Sequence, residues 1–242
     1  MGWGRGEPVP PWRTPTNAIA EGRALAAQLL TQSPAANLEA RGWLSIRSAD
    51  GQTTSVPLRL ETVVEPSGWW TQYETAATNG IPGARLRVVH PAGKPVQFFL
   101  ARSNTAGDSW EAPIAVPAEN TAVPFAGSDF WLCDLAYPAV AYLRWSDQCL
   151  GRNVTRMGRP CRILESRQSE VLPGGYARVI SYIDIESGGV LRAEAYDDAH
   201  ELLKEFNIRS LKKVQGQWQV QEMEMRNLRT RSRTRLEFDY DR

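Results

Sequence analysis

Few residues in this 242-residue chain have the types and spacing that catalysis needs. Ser210 and Lys213 show the Ser-x-x-Lys spacing in which a lysine can activate a serine. Both fall in a strand-like run, where residues three apart leave opposite faces, so they cannot cooperate. Glu222 and Glu224 share a strand face, as the carboxylates of a glycosidase might. Two solvated like charges on a wet face are the commoner reason for that spacing. Asp197-Asp198 sits at a turn, where aspartate bonds to nearby backbone. His90 and His200 have no identifiable partner and read as surface histidines. No GxSxG, Gly-rich phosphate loop or HExxH occurs. Cys133, Cys149 and Cys161 have no CxxC spacing and stand far from both histidines, which argues against zinc or any other metal. Cys149 and Cys161 flank a short polar excursion containing glycine. They could close a loop of about a dozen residues as a disulfide, or stay free as buried thiols. The chain reads as a non-enzyme that needs no cofactor.

Composition narrows the classes further. Lys+Arg 28 against Asp+Glu 27 leaves no basic excess for a general nucleic-acid binder. Apolar residues at 42% support a packed core. No run of 18 apolar residues exists to span a membrane. Met1 to Pro11 is rich in Gly and Pro and has no apolar run, so residues 1–13 read as a flexible leader without a signal peptide.

The elements that would position any site are mostly strands. Thr14-Pro15 looks like a helix start, and Ile19, Gly22, Leu25, Ala26, Leu29 and Leu30 recur at helical spacing until Ser33-Pro34. From Ala40 the period becomes two, with a hairpin at Asp50-Gly51 and a return through Val56, Leu58 and Leu60. Strand-like runs follow at 69–74, 84–90 and 96–101, and 102–124 reads as loop. Ser128 or Asp129 could cap a short helix through Phe130, Trp131, Leu132 and Leu135, ending near Pro138. Further runs occupy 159–168, 176–185, 190–197, 201–212, 217–227 and 229–240. The phase of Trp218 and Val220 differs from that of Met223 and Met225, which predicts a β-bulge near Gln221-Glu222.

In the last run, Arg229, Arg231, Arg233 and Arg235 alternate with residues that turn apolar at Leu236 and Phe238. One wet and one dry face imply an antiparallel sheet whose dry face must be covered. About eleven strands and two helices predict a mainly β, α+β fold, one antiparallel sheet too large to stay flat. Residues 14–242 then form one domain.

The stretch from Phe125 to Arg242 resembles the bacterial outer-membrane lipoprotein-sorting proteins, relatives of the periplasmic lipoprotein carrier LolA. The likeness rests on Phe125-Ala126-Gly127-Ser128-Asp129-Phe130 with Asp134-Leu135, and on Gly158-Arg159-Pro160-Cys161 opening a strand. It continues through Ile183-Asp184 to Tyr196-Asp197, then Gly216-Gln217-Trp218, Met225, Asn227, Thr234 and Leu236. The resemblance implies a half-open antiparallel β-barrel with helices as a lid, exported to the periplasm with its signal peptide already removed. It also implies that the apolar face receives the acyl chains of lipoproteins or lipids. Asp134 is followed by Leu-Ala-Tyr-Pro in place of a longer polar helix, and no cargo-release residue transfers.

On this reading the cavity wall comprises Leu44, Ile46, Leu58, Leu60, Trp70, Leu86, Val88, Phe98, Ile180, Tyr182, Met223, Met225, Leu236 and Phe238. The lid comprises Leu25, Leu29, Phe130, Trp131 and Leu135. Plain hydrophobic core would give the same pattern. The expected function is a periplasmic carrier or sensor of acyl chains that sorts lipoproteins to the outer membrane. The alternative is an envelope protein-interaction module with a solid core, binding a partner through Arg229, Arg231, Arg233 and Arg235.

Overall fold

A computed structural model describes residues 17–78, 81–136, 140–168, 170–171, 174–214 and 216–240. The leader 1–13, the helix start at Thr14-Pro15, Pro138 and Gln215 lie outside them.

Helix α1 spans Ala18–Leu30. The strands are β1 Leu38–Arg47, β2 Thr53–Glu65, β3 Gly68–Thr75, β4 Ala84–Pro91, β5 Gln97–Arg102, β6 Ile114–Val116, β7 Asp147–Arg156, β8 Arg159–Arg167, β9 Arg178–Asp184, β10 Val190–Tyr196, β11 Leu202–Val214, β12 Gln217–Asn227 and β13 Ser232–Asp239. All lie in one curled antiparallel sheet of order β6-β5-β4-β3-β2-β1-β13-β12-β11-β10-β9-β8-β7. The first and last strands therefore pair at its centre, with Leu44 opposite Leu236 and Gly42 opposite Phe238. Two meanders run outward from that pair to the edges β6 and β7. Between these edges the chain must cross the sheet, and residues 117–136 and 140–146 do so in irregular backbone with short 3₁₀ turns at Ala118–Asn120, Leu132–Leu135 and Ala141–Arg144.

The register assigns the faces. One row runs Leu164, Ser181, Ala193, Phe206, Met225, Thr234, Ile46 across β8 to β1. The adjacent row reads Glu165, Ile180, Glu194, Glu205, Arg226, Arg233, Arg47. The first row belongs to the inner face, where Phe125, Phe130, Leu132 and Leu135 of the crossover pack on Leu44, Leu58, Leu86, Phe98 and Leu236. At the other end α1 sets Leu25, Ala26 and Leu29, with Val140 and Leu143, against Leu164, Val179 and Ile183. Gly22 is in the buried stripe of α1 because a Cβ there would come within 2.8 Å of Gln148 O and Leu150 N on edge strand β7.

The second row belongs to the outer face, where charges meet. Arg192 pairs with Glu194 and Glu205, and Glu224 is approached by Arg226, Arg233 and Arg235. The apolar residues of this face are roofed by guanidinium groups: Arg156 lies 4.6 Å from the ring centre of Tyr182, and Arg178 lies 5.0 Å from that of Tyr196. Such stacking shields ring faces while the charge stays wet.

Several sequence expectations change. Strands β6 and β7 bring the total to thirteen. A register shift between Leu150 and Asn153 breaks the alternation in β7 that a pattern search needs. The second helix is only the 3₁₀ turn Leu132–Leu135, and Asp129 does not cap it. Residues 202–214 are strand, as the run at 201–212 predicts. The last strand starts at Ser232, because Asn227 Oδ1 accepts the N–H groups of Arg229 and Thr230 and Arg231 takes a left-handed φ of 55°. The bulge falls where expected: Ser210 pairs with Glu222 and Leu211 with Val220, which leaves Gln221 extra. The cysteines are free, with Cys149 opposite Glu165 and Cys161 opposite Val154 on the β7–β8 hairpin.

The central pairing makes a prediction at Gly42, where an added Cβ would lie 1.7 Å from Glu237 O. Gly42→Ala should cost ~3 kcal/mol or more in urea unfolding, because backbone must move apart at the pair that joins both meanders.

Candidate functional site

The inner face and the crossover that covers it form the candidate site. The wall residues Leu44, Leu58, Leu60, Leu86, Val88, Phe98, Met225, Leu236 and Phe238 meet in one buried cluster, with Ile46 and Met223 packed on its margin. Three proposed wall residues do not join them. Trp70 lies opposite Val63 and Val89, under Arg87, and Ile180 and Tyr182 lie on the outer face. Period two alone could not assign them, since β9 is buried on both faces. Of the lid residues, Phe130 and Leu135 sit in this cluster, while Leu25 and Leu29 of α1 belong to the second.

Trp131 leads to a buried polar site that the pattern reading missed. Lys204 on β11 is only 1% exposed and donates to the carbonyl oxygen of Asp129 at 2.6 Å. Its Nζ lies 3.5 Å from Asp134 Oδ2 and 3.6 Å from the centre of the Trp131 ring. Trp131 stacks on Tyr176 at 4.5 Å, and the Tyr176 hydroxyl donates to both oxygens of Asp134 at 3.0 and 3.1 Å. The Asp129 carboxylate accepts hydroxyl protons from Ser232 and from Thr234, the latter at 2.8 Å. Its backbone N–H donates to Thr234 Oγ1 at 2.9 Å. A cation, two carboxylates and two rings thus latch the crossover to β11 and β13.

Burial lowers the pKa of Lys204, and the Asp134 charge opposes that shift. Burial, and then the Asp134 carboxylate, holds the Tyr176 phenol well above its usual range. A lysine so enclosed serves as a structural tie between elements. One sequence signal could have found it: Lys204 shares the period-two face of Phe206.

A second anchor holds the crossover farther on. The buried Gln148 donates to Tyr142 O at 2.8 Å and Trp145 O at 2.9 Å, and it accepts the Ser166 hydroxyl at 2.8 Å. The Ala141–Arg144 turn brings Arg144 close enough to His90 to oppose its protonation. His90 is half-buried rather than a free surface residue, stacked on Trp69 at 3.6 Å, and its Nε2 has no hydrogen-bond partner.

The residues weighed for catalysis stay apart or are engaged elsewhere. Lys213 pairs with Trp218, not with the neighbourhood of Ser210. Glu222 and Glu224 both face Arg235. Asp197 accepts the N–H groups of Ala199 and Glu201 and the Arg229 guanidinium. Among the described residues no cluster of three or more His, Cys, Asp or Glu side chains could hold a metal. Of the proposed partner face, Arg229 pairs with Asp197 and Arg233 and Arg235 with Glu224; Arg231 sits in the turn.

A curled antiparallel sheet with an apolar inner face under an irregular cover is a fold shared with several solved structures. A DUF1329 family protein from Desulfovibrio piger superposes with a TM-score of 0.72 at 17% identity, over 93% of this chain and 94% of that one. A domain described as a candidate outer-membrane lipoprotein-sorting protein, from Vibrio parahaemolyticus, gives 0.72 at 17% identity over 91% of each. A LolA superfamily protein from Nitrosomonas europaea gives 0.52 at 13% identity, over 90% of this chain and 91% of that one. At these identities the likeness is one of fold. No curated protein matches the sequence significantly. A family model described as "-like: Uncharacterized protein" matches residues 109–240, more than half of the chain, and the chain belongs to that family.

Two outcomes follow from the site. Lys204→Met should destabilise the protein by ~3 kcal/mol in urea melts, because it strands the Asp134 carboxylate without its cation. His90 has its pKa lowered to about 4, first by burial and then by Arg144. The unfolded chain takes up that proton near pH ~6.5, so it binds more protons than the fold between about 6.5 and 4. Stability should fall as pH drops through that window, and thermal melts of His90→Phe should show a shallower fall.

Proposed function

We propose that this protein carries or senses acyl chains, of lipoproteins or lipids, on the inner face of its sheet, and that it works in the bacterial periplasm. The observation that carries this reading is the nature of the cover. Strands of a LolA-like sheet present Leu, Val, Phe and Met inward, and an irregular segment lies over much of this surface. Removing a regular strand would break a backbone ladder. Lifting the crossover breaks a few side-chain ties, at Asp129, Lys204 and Asp134, and exposes apolar residues that a guest can cover again. Each buried CH₂ of the guest contributes ~0.8 kcal/mol, so a long acyl chain can offset the loss of Phe125, Phe130 and Leu132 from the face. Met223 and Met225 adapt their shape to a flexible guest.

The interaction-module reading has less support, because three of its four arginines already face carboxylates. The neutralised outer face offers an anionic partner little field.

The test is native mass spectrometry of protein purified from bacteria, with solvent extraction and lipid identification, beside titration with a fluorescent fatty acid. We expect co-purified acyl species or micromolar probe binding. Asp129→Ala should loosen the latch and speed probe association about tenfold, with faster hydrogen exchange confined to 121–136. An apo mass together with no probe binding by either protein would reject the carrier reading.

A further inference from the structure

We infer that the groove between α1 and the Ala141–Arg144 turn holds the anionic headgroup of the guest, so that the cargo is an acyl amphiphile with a negative head. This rests on the carrier reading for the fate of the chain and adds the class of molecule. The groove has a volume of about 460 Å³. Its apolar wall is Ala26, Leu30, Leu143 and Trp145, and Arg23 and Arg144 stand at its rim.

The two arginines differ from those of the outer face. Arg23 makes one hydrogen bond, from Nε to Ser146 O at 3.2 Å, and Arg144 is exposed; neither has a carboxylate within ion-pair distance among the described residues. Two guanidinium groups left open beside an apolar wall match an anion attached to a hydrocarbon, since each can donate charge-assisted hydrogen bonds in a fork.

Position supplies the second argument. Ala26 and Leu143 of the groove wall also pack with Leu164 and Ala193 of the inner face, and Phe206 touches both that cluster and the one under Phe125 and Phe130. The groove therefore adjoins the inner face. A head fixed by Arg23 and Arg144 can send its chain past Trp145 toward that face. Gln148 holds the turn that carries Arg144, so the second arginine is fixed in place on the crossover.

The experiment is isothermal titration of the full chain with dodecyl phosphate, dodecyl maltoside and inorganic phosphate. It is repeated on Arg23→Gln/Arg144→Gln and on Arg23→Lys/Arg144→Lys, with thermal melts to verify folding. Dodecyl phosphate should bind wild type more tightly than dodecyl maltoside does. The Gln variant should lose about tenfold in affinity for dodecyl phosphate alone, and the Lys variant should recover part of it. Equal binding of dodecyl phosphate by wild type and the Gln variant overturns the inference. So does full competition by inorganic phosphate, which would mean a bare-anion site. If dodecyl maltoside binds and dodecyl phosphate binds no better, this inference falls and the carrier reading stands. Binding of neither amphiphile removes both.

Discussion

The pairing of β1 with β13 is the constraint on which the rest of the molecule depends. With the first and last strands at the centre, the two meanders must grow outward, and their free edges are opposite ends of the strand order. The chain can join those edges only by crossing the sheet. Backbone that crosses a curled sheet has no neighbouring strand to bond with, so its polar groups bond within the crossover's own turns or to side chains of the sheet. Thr234, Lys204 and Gln148 supply the latter. The cover of the apolar face is thus tied down by side chains, whereas the sheet is tied by a continuous ladder.

The two edges are treated differently, as exposed edges must be. Strand β6 is only three residues long, and β7 is covered by α1, which approaches closely because Gly22 has no side chain. The outer face needs no cover, since its acids and bases pair with one another across it. Exposed pairs of this kind contribute little stability each. Their larger effect is to keep a broad strand surface hydrated and nearly neutral, without a field that would attract charged partners.

These arrangements fit a protein that handles a hydrocarbon guest. The inner face supplies apolar area, the crossover covers it, and the groove beside α1 holds two arginines with no carboxylate partner among the described residues. The buried lysine is well suited to a latch. In the closed state its charge is met by a carbonyl, a carboxylate and two rings; in an opened state it regains water. The cost of breaking the tie is then smaller than the loss of an equal apolar contact that gains no new partner.

Periodicity in the sequence was enough to determine that the protein is mainly β, with one dry and one wet face. Gly42, Leu44 and Ile46, and Leu236 and Phe238, declared their strands because alternation survives wherever one face is buried. The residues from Phe125 to Asp134 declared the LolA-like fold through resemblance, although not the shape of that segment. Tertiary structure decided the rest. It placed Trp70, Ile180 and Tyr182 on the outer face, because a strand covered on both sides loses its alternation. It turned Asp129 from an expected helix cap into an acceptor for Ser232 and Thr234, more than a hundred residues away. It enclosed Lys204 and paired Arg229, Arg233 and Arg235 with carboxylates. Each depends on which strands become neighbours, and strand order is set by the sum of many long-range contacts that no local window contains.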